Sequence, residues 1–213
     1  MKSRFKVAAP IAAAASLLAV TGTAFAAAPV NVTAGSSSTG TTTYTAATTG
    51  TSPQISFYTP YVNMSCGSGT AAGKVYLGAP TAGKIADITS TTWTSCIGPL
   101  GLTMHVYQSG TWTVNGTNVA SGVTTGTVGN ISATVIAVNP STGLEDSSLC
   151  SFVAAGSIPG TFTNSTQTLA TTAGGTLAIT SATGCSGQVV AGDSANFVAK
   201  YVLTAAAGAV TVS

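Results

Sequence analysis

The sequence predicts an all-β domain, an antiparallel β-sandwich or flattened barrel with two disulfides. Three observations lead to that class. From Gln54 onward short apolar runs alternate with turn residues, and no helical periodicity of useful length appears. Several runs repeat with the period of two that lays one face of a strand on a core. The chain carries four cysteines, Cys66, Cys96, Cys150 and Cys185, an even number that reads as two bridges in an exported protein.

The export reading rests on residues 1–26. A basic start (Lys2, Arg4, Lys6) precedes an apolar stretch over 7–20 and a small-residue end, Ala24-Phe25-Ala26. That three-part order is a secretory signal with an A-x-A processing site, leaving Ala27 as the new N-terminus. A retained anchor is the competing reading, but Pro10 and Ser16 interrupt a stretch already short for a bilayer of about 30 Å. No later stretch is long and apolar enough to span, so no transmembrane segment is expected after cleavage. An extracellular or cell-surface location follows.

Past residue 26 only Lys74, Lys84 and Lys200 stand against Asp87, Glu145, Asp146 and Asp193, three against four, for a net charge of −1. So few charges give nucleic acid or anionic lipid almost nothing to attract, and both are excluded as partners.

Residues 27–53 are rich in Ser, Thr and Gly, as a linker would be, yet β-branched Thr over 41–47 suits an edge strand. Residues 54–213 read as a single β-domain. Leu102, Met104 and Val106 alternate with Thr103, His105 and Tyr107; Phe197, Ala199, Tyr201 and Leu203 alternate with Val198, Lys200 and Val202. Asn115-Gly116 between Trp112-Thr113-Val114 and Thr117-Asn118-Val119 predicts a hairpin turn, and Gly174-Gly175 between Leu169 and the run starting at Leu177 predicts another.

The cysteines lie in an internal echo. Cys66 is followed by Ile88-Thr89-Ser90 and Cys96, and Cys150 by Ile179-Thr180-Ser181 and Cys185. Two related halves are one reading and chance recurrence in a Thr-rich chain is the other. The repeated frame predicts one local bridge per half, Cys66 to Cys96 and Cys150 to Cys185.

The frame Met64-Ser65-Cys66, then 88–96 (ITSTTWTSC), then Cys150 and Thr183-Gly184-Cys185-Ser186-Gly187 resembles a group of small exported bacterial β-proteins that includes the alkane-oxidation activator (PraB-type) proteins. The resemblance spans roughly residues 64–203. It implies an exported, non-catalytic protein linked to growth on hydrophobic substrates, and it supplies no catalytic motif.

Chemistry is scarce. His105 is the only imidazole, and a Ser-His-Asp triad would have to draw on Asp87, Asp146 or Asp193 without a G-x-S-x-G elbow. Glu145 and Asp146 are adjacent and would face opposite ways on a strand, which does not suit a glycosidase pair. The oxygen-rich segment 139–148 could hold calcium, but two acids in a Ser-rich turn are more often solvated. No catalytic residue, metal or cofactor is expected. Gly192-Asp193 reads as a turn whose carboxylate caps backbone amides. Trp93 and Trp112 suit core anchors, or the lining of an apolar cleft between the sheets. Two function classes follow. One is a secreted, surface-associated structural or accessory protein that meets the cell envelope, a hydrophobic surface or its own copies. The other is an extracellular carrier of a small apolar ligand bound at Trp93 and Trp112. A filled interior favours the first and a roomy one the second.

Overall fold

The computed structural model of the chain describes residues 30–213. The signal expected over residues 1–26, with its cleavage before Ala27, lies outside them. Thirteen strands run in order: β1 (Val32–Ala34), β2 (Gly40–Thr48), β3 (Ile55–Tyr58), β4 (Asn63–Leu77), β5 (Lys84–Ile97), β6 (Thr103–Gln108), β7 (Trp112–Ala120), β8 (Val123–Ala137), β9 (Cys150–Thr163), β10 (Thr168–Thr171), β11 (Ala178–Gly184), β12 (Asn196–Ala205) and β13 (Val210–Val212).

Every ladder is antiparallel, and the pairings close on themselves. β2 and β3 lie end to end between β12 and β4. β6 and β7 lie end to end between β5 and β8, and β10 and β11 against β9, with β10 also on β12. β4 pairs with β5 and β8 with β9. Eight staves result, five continuous and three broken, joined in chain order with the last on the first. This is an up-and-down barrel closed through the β10–β12 ladder, with β11 paired to β9 alone among the strands.

The alternation that predicted strands decides the inside of the barrel. β9 buries every second residue over 150–154 and again over 158–162, and β8 does so over 131–137. Outward positions carry mostly small hydroxyl residues, which bond across strands: Ser68 with Thr94 at 2.8 Å and Thr70 with Thr92 at 2.6 Å. Opposite walls touch inside, as in a sandwich. Phe57 stacks on Phe152 with ring centroids 5.7 Å apart, and Trp93 meets Trp112 at 6.0 Å and Phe197 at 6.4 Å. An eight-stranded interior is about wide enough for side chains to fill. Here they fill it, and three interior voids among its rings measure only about 40, 30 and 30 Å³.

The two ends differ. One is closed by the β1–β13 pair, which buries Val32, Ala34, Val210 and Val212. Two side-chain amides hold β13 as a neighbouring strand would. Asn164 Nδ2 donates to the Val212 carbonyl at 2.9 Å while its Oδ1 accepts from the Val212 N–H at 3.1 Å; Gln167 does the same at Val210, at 2.8 and 2.7 Å. Asn31 and Ser213 exchange backbone bonds of 2.7 and 2.9 Å beside them. The other end carries the connections 59–62, 98–102, 138–149 and 185–195. Both disulfides sit at this loop-bearing pole, Cys66–Cys96 and Cys150–Cys185, paired as the repeated frame predicts.

The echo has a counterpart in the backbone. Thr89 is the extra residue of a bulge between Ile88, opposite Gly73, and Ser90, opposite Ala72; its hydroxyl donates to the Ala72 carbonyl at 3.2 Å. Thr180 is likewise extra between Ile179, opposite Ala154, and Ser181, opposite Val153, and its hydroxyl donates to the Val153 carbonyl at 3.3 Å. Each bulge re-aims the strand that runs on to its cysteine.

Three local expectations are corrected. Asn115-Gly116 is not a turn: both lie inside β7, and the chain reverses at Ser121-Gly122, whose φ values of 50° and 76° suit the tight two-residue turn. Gly116 faces Gly126 across the ladder because the strands crowd there; a Cβ on Gly126 would come within 1.8 Å of the Asn115 carbonyl oxygen. Gly174-Gly175 does not reverse the chain either, since β10 and β11 on either side both pair with β9. The segment over 41–47 is no edge, because β2 is paired on both sides.

Candidate functional site

The disulfides position the loop-bearing pole. Cys66 and Cys96 are register partners on β4 and β5, and Cys150–Cys185 ties the start of β9 to the connection that follows β11; all four cysteines are buried. The loops they anchor expose large apolar side chains. Among the described residues six are exposed, and five of them (Tyr61, Ile97, Leu100, Leu144, Val190) sit at this pole, with Tyr61 at 75% and Leu144 at 69%. The sixth, Tyr107 on β6, reaches the same pole through Glu145. Among the described residues the exposed large apolar side chains form no band around the barrel wall. The pole also holds, among the described residues, Glu145, Asp146 and Asp193 and no lysine, whereas Lys74 and Lys84 lie toward the opposite end.

Those acids are engaged locally. Asp193 Oδ2 accepts the Val190 N–H at 3.1 Å, the turn cap expected from sequence. Asp146 takes Asn139 Nδ2 at 3.1 Å and the Ser148 N–H at 3.0 Å and hydroxyl, bonds that hold its carboxyl below the usual range. Glu145 accepts from the Tyr107 hydroxyl and from His105 Nδ1 at 2.7 Å. The first bond, then the second, keeps Glu145 ionised to lower pH than a free carboxyl, and Glu145 in turn raises the Tyr107 phenol. The two acids of 139–148 thus serve different partners instead of converging on a cation. His105 points outward from β6, as its alternation predicts, and its carboxylate partner is Glu145. None of Asp87, Asp146 or Asp193, the acids available to a triad, is its partner. Among the described residues no Ser or Thr hydroxyl bonds to His105. Asp87 instead belongs to a structural cluster at the other end, with Lys84 Nζ at 2.8 Å and the Tyr76 hydroxyl at 2.5 Å. Burial opposes its ionisation, but these bonds outweigh burial and hold it below the usual range.

Trp93 and Trp112 are core side chains. The Trp112 indole donates to the Ser132 carbonyl at 3.2 Å and Trp93 to the Tyr201 hydroxyl at 3.1 Å. They border an interior void together with Phe57, Met64 and Phe197, and its 40 Å³ is far below the several hundred that a small ligand needs. The apolar cleft of the carrier reading is occupied by the protein's own rings.

One break in the wall lies between β5 and β6. β5 pairs with β7 through Ile88 and with β6 from Cys96 onward; between these, residues 90–94 pair with β4 alone among the described residues. Facing them, residues 105–108 of β6 pair with β8 alone. The seam forms an outer groove of about 440 Å³, lined by Thr89, Ser90, Thr91, Thr92, Trp93 and residues 105–108. Neither the seam nor the apolar pole was read from the sequence. Leu100 between Pro99 and Gly101, and Leu144 after Gly143, carried a signal for the pole: large apolar residues inside turns. The Glu145–His105 pair, 40 residues apart, carried none.

Comparison with protein-family models, with curated proteins and with solved structures finds no match.

Proposed function

We propose that the protein is an exported, surface-associated accessory protein without a catalytic step, and that it adsorbs to apolar surfaces through its loop-bearing pole. The observation that carries this reading is the collection of Tyr61, Ile97, Leu100, Leu144 and Val190 on one disulfide-anchored end of a barrel whose wall is mostly hydroxyl. Returning five such half-exposed side chains to an apolar phase is worth roughly 5 kcal/mol before ordering costs. Two disulfides fit an oxidising compartment, and among the described residues no helix is long and apolar enough to cross a membrane. Because the interior is filled, the pole and not a cavity is the apolar surface on offer.

Retention on octyl-agarose and adsorption at a hexadecane–water interface test the reading. A Leu100→Ser/Leu144→Ser variant should bind at least about tenfold more weakly, each leucine contributing about 1 to 2 kcal/mol at its exposure. Its unfolding midpoint should be unchanged. Equal retention of variant and parent would refute the pole as the contact.

A further inference from the structure

The seam between β5 and β6 has the size, the lining and the unfinished bonding of a ligand site. Its 440 Å³ lies within the range of small-molecule clefts. Apart from the Glu145–His105 pair at one end, the side chains around it are neutral. Ser90 lines it from an exposed position between Thr89 and Thr92, whose hydroxyls bond to the Ala72 carbonyl and to Thr70, with the Tyr107 ring 48% exposed and Trp93 and Val106 half-buried beneath. Two polar atoms here are buried without a hydrogen-bond partner, Thr91 Oγ1 and Gln108 Oε1. Such atoms carry a desolvation cost that a polar guest removes. The Gln108 amide group is fixed, donating to the Ile88 carbonyl at 2.9 Å and to the Gly110 carbonyl at 2.8 Å, so its oxygen is held ready. Residues 90–94 and 105–108 add backbone groups that no neighbouring strand takes up.

We propose that this seam binds a neutral saccharide of one or two rings. The absence of cationic side chains in the lining speaks against phosphate and carboxylate guests. An oily guest would leave the buried Thr91 Oγ1 and Gln108 Oε1 without a partner. A guest with hydroxyls on its rim and C–H faces for Tyr107 matches both kinds of surface. An extended peptide would also seek strand edges, but the seam is shut at both ends. Cys96 pairs with Met104 at one, and Gln108 bonds to Ile88 at the other, leaving no run-through for an added strand. The site lies on the wall and uses none of the exposed apolar loop residues of the pole, so it stands or falls apart from adsorption.

The test is saturation-transfer NMR and isothermal titration of the secreted protein with cellobiose, maltose and N,N′-diacetylchitobiose, each at millimolar concentration. An acetylated, amidated Thr-Val-Thr-Val peptide is the comparison. Saturable binding of at least one saccharide is expected. Ser90→Leu, which places bulk in the groove from an exposed position, should abolish it. Tyr107→Ala should weaken it roughly tenfold, the loss of one good contact. Both variants should keep the parent's unfolding midpoint, and the Leu100→Ser/Leu144→Ser variant should bind saccharide as the parent does. Failure of all three saccharides to bind would overturn the proposal. So would binding indifferent to both variants, or preferential binding of the peptide.

Discussion

Removing one disulfide at a time measures how much of the barrel's stability comes from constraining the unfolded chain. The bridges close loops with sequence separations of 30 and 35 residues. Loop-closure entropy for rings of that size contributes about 3.7 kcal/mol each, nearly the same for both. Each Cys→Ala pair also deletes two sulfurs that are at most 2% exposed, adding roughly 1 kcal/mol or somewhat more for the voids left behind. Cys66→Ala/Cys96→Ala and Cys150→Ala/Cys185→Ala should therefore each cost about 5 kcal/mol and lower the melting temperature by roughly 10 to 20 °C. Against the 5–15 kcal/mol typical of a domain, either variant folds marginally at best and the quadruple variant does not fold. Urea titration followed by far-UV circular dichroism reads the loss. The two variants should still differ locally. The first leaves Cys66 and Cys96 held as neighbours by the β4–β5 ladder, whereas the second frees the connection 185–195, where hydrogen exchange should rise first. A cost below 1 kcal/mol for either pair would show that the unfolded chain is constrained by something other than its bridges, and would sink the reasoning.

Two further outcomes follow from the core. Phe152→Ala, at 1% exposure and stacked on Phe57, should cost about 3 to 5 kcal/mol in the same urea titration, and a cost under 1 kcal/mol would mean the barrel collapses around the gap. Burial pushes the Tyr201 phenol up to about 12, against a smaller lowering by the Trp93 indole, and burial followed by the Asp87 charge raises Tyr44 still further. A phenol raised in the folded state contributes stability that is complete below the unfolded value near 10 and is lost as pH climbs through the folded value. Stability should thus be flat in these groups below about pH 10 and fall between about pH 10 and 12. Absorbance at 295 nm should show Tyr44 and Tyr201 ionising only with unfolding, and ordinary titration of all six tyrosines near pH 10 would contradict their burial.

The strand character was legible because burial on one face imposes a period of two, and Met104, Ala199 and Tyr201 point inward as their alternation required. The disulfide pairing was legible for a related reason: a repeated frame brings each pair to the same end of adjacent staves, with Cys185 just past the end of β11. Closure was not. Nothing in the order of strands distinguishes β2→β3, which continues one stave, from a true reversal, and the glycines misled because crowding between backbones selects glycine as strongly as a turn does. Gly116 and Gly126 record such an approach. The candidate sites were hidden for another reason. The seam exists because β6 leaves β5 after two paired residues, a register event that leaves no mark in residue type. Trp93 and Trp112 suited either core anchors or a cleft lining in the sequence, and their rings meet each other across the barrel.

The amide-held β1–β13 pair has a mechanical consequence. Asn31 and Ser213, bonded to each other, lie side by side at the start of one strand and the end of the other. Tension applied through both would load this pair in the unzipping direction, breaking the Asn31–Ser213 rung first, then Thr33–Thr211, then Gly35–Ala209. The β10–β12 ladder and the two cysteine bridges would bear no force until that pair had peeled away. The molecule would yield softly at one end while the opposite end, with its exposed leucines, kept its shape under load.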